Sequence, residues 1–227
     1  MKLIKRLIFF ICICVTAFCG FFIWKGYSAY RQVKSEIRIE DKIDMVRDQK
    51  NYTPFLELPD DYVNAVVAVE DHRFYDHNGF DFLSVVRSVY NNIRFWRLYE
   101  GGSTITQQVA KNIFFTQEKS LIRKTAEIFM AFDLEKLYSK DDILELYVNT
   151  NYFGSGYYGI KEASLGYFKK EPQDMTLYEA TLLAGIPNAP SVYAPTKNPD
   201  LARSRQLKVI EAMVKNGYIS REEADEL

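Results

Sequence analysis

Only three cysteines occur in the 227 residues, and Cys12, Cys14 and Cys19 all fall inside one apolar run. The rest of the chain has no internal disulfide to form, which leaves either redox compartment open to it. No excess of one charge exists: 29 basic against 30 acidic side chains leave a formal net charge of −1. That balance gives no global pull toward nucleic acid, and neither a zinc-like spacing nor a basic tail appears. Histidine is scarce, and the spacing of His72 and His77 is not that of a metal pair; a structural hydrogen bond is the plainer role for each. Internal repeats and a convincing alternating strand series are also missing, which points to a mostly α chain.

What is present fits a globular protein. Hydrophobic residues make up 48% and charged residues 26%, and the length suits one domain with a sizeable core. Aromatics reach 15%, with 16 Tyr and 16 Phe, enough to fill a core, line a sugar cleft or sit at a membrane interface. After MKLIKR comes LIFFICICVTAFCGFFIW, Leu7 to Trp24, uncharged throughout and just long enough to span a bilayer core. A cleaved signal peptide would have a shorter apolar region ending in small residues, and Phe18 before Cys19 spoils a lipoprotein reading. The run reads as a retained single-span anchor. Lys2, Lys5 and Arg6 before it are matched by Lys25, Arg31, Lys34 and Arg38 after it, so charge does not settle orientation. Residues 25–58 read as a polar, charge-mixed stalk, and residues 59–227 as the domain.

Within the domain the signals are helical. PDDYVNAVVAVED carries acids in its first turn, and Leu83, Val86, Tyr90 and Ile93 recur as on one helix face. So do Ala126, Met130, Leu134 and Leu137 in a longer helix. Capping boxes mark starts at Ser139 with Asp142, Thr176 with Glu179 and Ser220 with Glu223. YFGSGYYGIKEA reads as a glycine-punctuated turn and AGIPNAPSVYAPTKNP as a wrapping loop.

Three stretches carry candidate chemistry. Glu70 and Asp71 end the apolar run Ala65 to Val69, so a partly desolvated carboxylate suited to proton transfer is expected; a helix ending at the surface with two solvated acids would look the same. In GGSTITQQVAKN, Ser103 is a plausible N-cap, and helix geometry puts Thr104, Gln107, Gln108 and Lys111 opposite Ile105, Val109 and Ile113. The positive end of such a helix suits an anion, though the stretch lacks the GK[ST] ending of a P-loop. In SLIRKTAEIFMAFDLEK, Arg123 and Glu127 share a face with Lys124 beside them: an ordinary intrahelical pair, or a second carboxylate with cations set at a phosphate.

Five stretches in order, VEDHRFYDHNGFD, GGSTITQQVAKN, RKTAEIFMAFDLE, SKDDILELYVNTNYFGSGYYGI and LYEATLLAGIPNAPSVYAP, resemble the bacterial peptidoglycan glycosyltransferases, glycosyltransferase family 51. The resemblance runs from Pro59 to the C-terminus. Departures are slight: Val109 and Val148 stand where leucine is common, and Asp133 occupies a usually more neutral position.

This resemblance implies a lysozyme-like helical domain with a membrane-associated jaw, for which Arg94–Tyr99 and Ile113–Phe115 are the candidates. It implies polymerisation of lipid II, a disaccharide-pentapeptide on undecaprenyl diphosphate, with the domain outside the cytoplasmic membrane and residues 1–6 inside. Glu70 would take the proton of the acceptor 4-OH in an inverting transfer, and Glu127 would assist the leaving group. The implied substrate-binding set is Asp71, Phe74, His77, Ser103, Thr104, Gln107, Gln108, Lys111, Asn112, Arg123 and Lys124. A divalent cation, Mg or Mn, would help to compensate the diphosphate. Implied partners are lipid II, the growing glycan strand, membrane lipid and penicillin-binding transpeptidases. No S-x-x-K or K-T-G motif is present, so the reading is a monofunctional enzyme, while the ending SREEADEL leaves a truncated bifunctional protein open. The rivals are a lysozyme-like hydrolase or lytic transglycosylase, and a non-catalytic lipid-diphosphate scaffold.

Overall fold

A computed structural model describes residues 2–94, 101–116 and 118–227. Among them every regular element is helical, and the one β contact is an isolated bridge between Tyr152 and Tyr158. The longest helix, α1 (Lys2–Glu36), leaves its apolar outer part exposed and is long enough to cross a membrane. Its inner part lies along α6 (Leu121–Leu137).

The stretch read as a stalk is therefore folded structure. Tyr30 of α1, Ile39, Ile43 and Val46 of α2 (Ile39–Arg47), and Leu58 all enter the core. The i, i+4, i+7 spacing of the three α2 residues needs only one apolar side chain per turn, which a polar-looking composition hides. Hydrogen bonds fix the connection. Arg47 donates to Asp142 at 2.7 Å, and the Thr53 amide donates to Asn149 Oδ1 at 2.8 Å, both on α7 (Lys140–Thr150).

The centre of the domain is α3 (Asp60–Glu70), which buries Tyr62, Ala65, Val66, Val67 and Ala68 against α9 (Leu177–Gly185) and α11 (Pro199–Lys215). The short α5 (Ile105–Phe114) packs between α6 and α7 through Ile105, Val109, Ala110 and Ile113. α8 (Ile160–Phe168) packs against α7 and α9, α10 (Pro190–Tyr193) against α11, and α12 (Arg221–Asp225) closes the described chain. All three expected capping boxes form, because each is set by four consecutive residues.

Both predicted stripes lie on helices, but they differ in burial. In α4 (Phe82–Arg94) the predicted stripe is helical, but Leu83, Val86, Tyr90 and Ile93 are exposed, together with Phe82 and Val89. In α6, Ala126, Met130 and Leu134 are buried while Leu137 is exposed. Of the expected jaw, Ile113 is buried and Phe114 and Phe115 pack against the core, Arg94 ends α4, and residues 95–99 lie outside the described residues. An exposed apolar face lies on α4, directly before the aromatic-basic stretch.

Candidate active site

Glu70 is the last helical residue of α3, so the apolar face that buries α3 carries its carboxylate into the protein. Its Oε2 accepts from Gln108 Nε2 at 3.0 Å and its Oε1 accepts from Arg205 Nη2 at 3.2 Å. Arg205 also donates through Nε to the Gly185 carbonyl at 3.3 Å, which locks the guanidinium between α9 and α11. Two of the four lone-pair directions of the carboxylate are thus used, and the others remain for a substrate proton. Sequence reasoning missed Arg205. Its signal was an arginine set within the buried stripe Ala202, Gln206, Val209 and Met213, where a cation needs a carboxylate. Arg205→Met is expected to lower kcat by about tenfold to a hundredfold through a loosened Glu70, with Arg205→Lys intermediate; steady-state kinetics on both variants checks it.

Asp71 turns away from Glu70 into the protein and is 6% exposed. Both its oxygens lie 3.0 Å from His77 Nε2, and Oδ2 also accepts from the Ile105 amide at 3.0 Å. His77 Nδ1 accepts from the Gly79 amide at 3.2 Å, so Nε2 carries the proton that goes to Asp71. Gly79 holds φ +85°, which only glycine adopts without strain, and its carbonyl accepts from Thr104 Oγ1 at 2.8 Å. Thr104, not Ser103, is the N-cap of α5, accepting from the Gln107 amide at 3.1 Å. The positive end of α5 therefore already faces an anion, the Asp71 carboxylate of the same chain. Phe74 is fully buried below, with Lys140 Nζ 4.3 Å from its ring centre.

A second centre forms on α6. Glu127 is 1% exposed; it accepts from Arg123 Nη1 and lies 3.1 Å from Lys124 Nζ. Lys124 Nζ also donates to Ser103 Oγ at 2.7 Å, which ties the GGST segment to α6. Burial holds the Lys111 ammonium below the ordinary lysine pKa; Glu127 and Glu70 oppose that shift, while Arg123 and Lys124 add to it. Burial lowers Lys124 too, against the pull of Glu127. Two cations thus contact one buried carboxylate and Lys111 acts on it electrostatically, an excess of positive charge in a partly desolvated place. Lys111 is within electrostatic reach of both glutamates.

The structure thus divides the expected set. Glu70 and Gln108 meet; Glu127, Arg123, Lys124, Ser103 and Lys111 gather; Asp71, His77 and Thr104 serve the start of α5. Asn112 Nδ2 donates to Asn151 Oδ1 at 2.9 Å. Gln107 is buried, and neither amide atom has a hydrogen-bond partner among the described residues. A recess of about 30 Å³ beside Glu70 is lined by His72, Ser84, Arg87, Gly102 and Ser103 among others. Arg87, also missed from sequence, lies 3.2 Å from His72 Nε2 and donates to it; burial first, then Arg87, lowers the His72 pKa.

A protein-held divalent cation does not fit this donor set. Among the described residues no three His, Cys, Asp or Glu side chains converge, and Glu127 is already flanked by two cations.

The match to known proteins now bears on this arrangement. Residues 38–214 match the family model described as Transglycosylase. The chain belongs to the transglycosylase family. That match begins 21 residues before Pro59, in agreement with the packed α2. Penicillin-binding protein 1F of Bacillus subtilis is 51% identical over 168 residues, 74% of this chain and 24% of that protein. A Cupriavidus necator chain with a provisional transglycosylase name is 42% identical over 185 residues, covering 82% of this chain and 80% of its own. Penicillin-binding protein 1A of Vibrio cholerae is 37% identical over 241 aligned positions, 99% of this chain and 29% of that protein. This transglycosylase chain thus spans about a quarter of the penicillin-binding relatives and most of the Cupriavidus one.

Proposed function

We propose that this transglycosylase polymerises lipid II into β1,4-linked glycan strands of peptidoglycan, releasing undecaprenyl diphosphate. The supporting observation is the pairing of an oriented carboxylate, Glu70, with a cation-rich centre around Glu127, joined by Lys111 within reach of both. Glu70 removes the proton of the acceptor 4-OH. The acceptor oxygen bonds to the donor C1 from the face opposite the diphosphate, the C1–O bond breaks, and its electron pair leaves on the phosphate with inversion. Lys111, Arg123 and Lys124 compensate the charge that develops on the leaving group. A divalent cation, Mg or Mn, would arrive with the substrate diphosphate. The exposed apolar face of α4 and the outer part of α1 fit a lipid-embedded substrate, with the domain on the extracytoplasmic side and α1 anchored in the cytoplasmic membrane.

A hydrolase would need an attacking water and no cation cluster; a scaffold would not need an oriented Glu70. Incubating the full chain in detergent with lipid II decides: glycan polymer is expected, while cleavage of finished glycan without polymer would overturn the assignment. Lys111→Ala should raise the KM for lipid II by about tenfold, the scale of one charge-assisted contact, with the unfolding transition little changed. Because Lys111 titrates below the ordinary lysine range, activity should fall on the alkaline side as its ammonium is lost, and Lys111→Arg should move that limb upward. A pH profile of kcat/KM for the two chains checks the sign.

A further inference from the structure

Three fastenings join α1 to α6. A Cβ on Gly26 would stand 2.5 Å from Thr125 Cβ and 3.1 Å from the Ile122 carbonyl, so only glycine lets the two backbones approach there. One turn on, the Tyr27 and Tyr30 rings pack on Phe129 with centroids 5.3 and 5.8 Å away. Beyond them, Asp133 accepts from Tyr30 Oη and from Lys34 Nζ, the latter at 2.7 Å. Asp133 is one of the three positions at which the sequence departs from its resemblance, and here it closes the seam.

These contacts advance in the same direction along both helices, so α1 and α6 run parallel. From Gly26 to Lys34 they cover about 12 Å of helix axis. No proline interrupts α1, and Gly26 is held in the seam, so the described helix has no hinge between the apolar run and the domain. Trp24 ends that run two residues before Gly26. Arg123 and Lys124 lie between Ile122 and Thr125, the two residues Gly26 touches. Along the axis they are therefore about 3 Å past the end of the apolar run. That falls within the headgroup zone, about 5–8 Å deep on each side of a bilayer.

We propose that α1 is a rigid strut whose fixed register on α6 sets the height of the Arg123, Lys124 and Glu127 cluster at the level of a lipid diphosphate. The diphosphate rests on the function proposed above; the strut rests on the helix seam alone. A tether would let the domain wander, whereas a strut holds its cations where a membrane-embedded substrate presents phosphate. The seam thus spares the enzyme part of the cost of locating its substrate in depth.

The test inserts seven helix-forming residues, Ala-Ala-Lys-Ala-Ala-Glu-Ala, between Trp24 and Lys25 of the full chain. Seven residues raise the domain by about 10 Å with a net rotation of about 20°. Neutron reflectometry on supported bilayers of phosphatidylglycerol and phosphatidylcholine reads the spacing, and vesicles of the same lipids read lipid II polymerisation. The same seven residues placed between Ile37 and Arg38, beyond the seam, form the second variant. Expected are a spacing increase of about 10 Å and an activity loss of at least about tenfold for the first variant only. Unchanged spacing in the first variant would overturn the strut, and increased spacing with full activity would overturn its role in placing the cluster. Equal effects from both variants would also overturn it. An unaltered chain that consumes no lipid II would overturn the transfer reading, while the spacing result would still judge the strut.

Discussion

Glu70→Gln is expected to lower the rate of lipid II polymerisation by about 10³-fold, within the range seen when a positioned general base is removed. The reason is local. Glutamine keeps the length and shape of the side chain, and its carbonyl can still accept from Arg205 Nη2 or from Gln108 Nε2. Its amide nitrogen cannot take a proton from the acceptor hydroxyl, and it meets one of those two donors with a donor of its own. The chemistry is lost while burial changes little. Substrate affinity should stay within about threefold, because the cations around Glu127 are untouched. Glu70→Asp draws the carboxylate back by one methylene and should fall between the two. Single-turnover polymerisation and a separate binding titration measure these effects. Near-normal turnover by Glu70→Gln would remove Glu70 from the base role and shift attention to His72 or Glu127.

Much of this site could be read locally. Capping boxes, the acid-rich start of α3 and the apolar run into Glu70 are each fixed by a few consecutive residues, and each appears in the structure. Membership of the transglycosylase family was likewise legible, because its motifs are contiguous. What stayed hidden depends on partners distant in sequence. Arg205 reaches Glu70 across 135 positions, and no short pattern shows that pairing. The stripe on α4 has the periodicity of a core face; only the tertiary arrangement reveals that no helix among the described residues covers it. The same limit applied to residues 25–58. Their charges were conspicuous, and their one buried apolar side chain per turn was not.

Distance also concealed how the start of α5 is held, and there the second large effect is expected. Asp71→Ala should destabilise the protein by about 4 kcal/mol, since it leaves the His77 Nε2–H and the Ile105 N–H enclosed without an acceptor. Asp71→Asn should cost about half as much, near 2 kcal/mol. Its oxygen can still receive the Ile105 amide, but its NH₂ then faces the proton on His77 Nε2. Moving that proton to Nδ1 gives no relief, because the Gly79 amide already donates there. Asp71→Ala frees the first turn of α5. Gln108 lies three residues along that helix, so its hold on Glu70 loosens as well, and kcat should fall by about a hundredfold. Urea unfolding followed by circular dichroism, alongside polymerisation kinetics, separates the effects. A chain with Asp71→Asn that keeps normal stability but loses affinity for lipid II would show the carboxylate gripping substrate instead of α5. The buried geometry, with both oxygens 3.0 Å from His77 Nε2 and Oδ2 also taking the Ile105 amide, argues for the grip on α5.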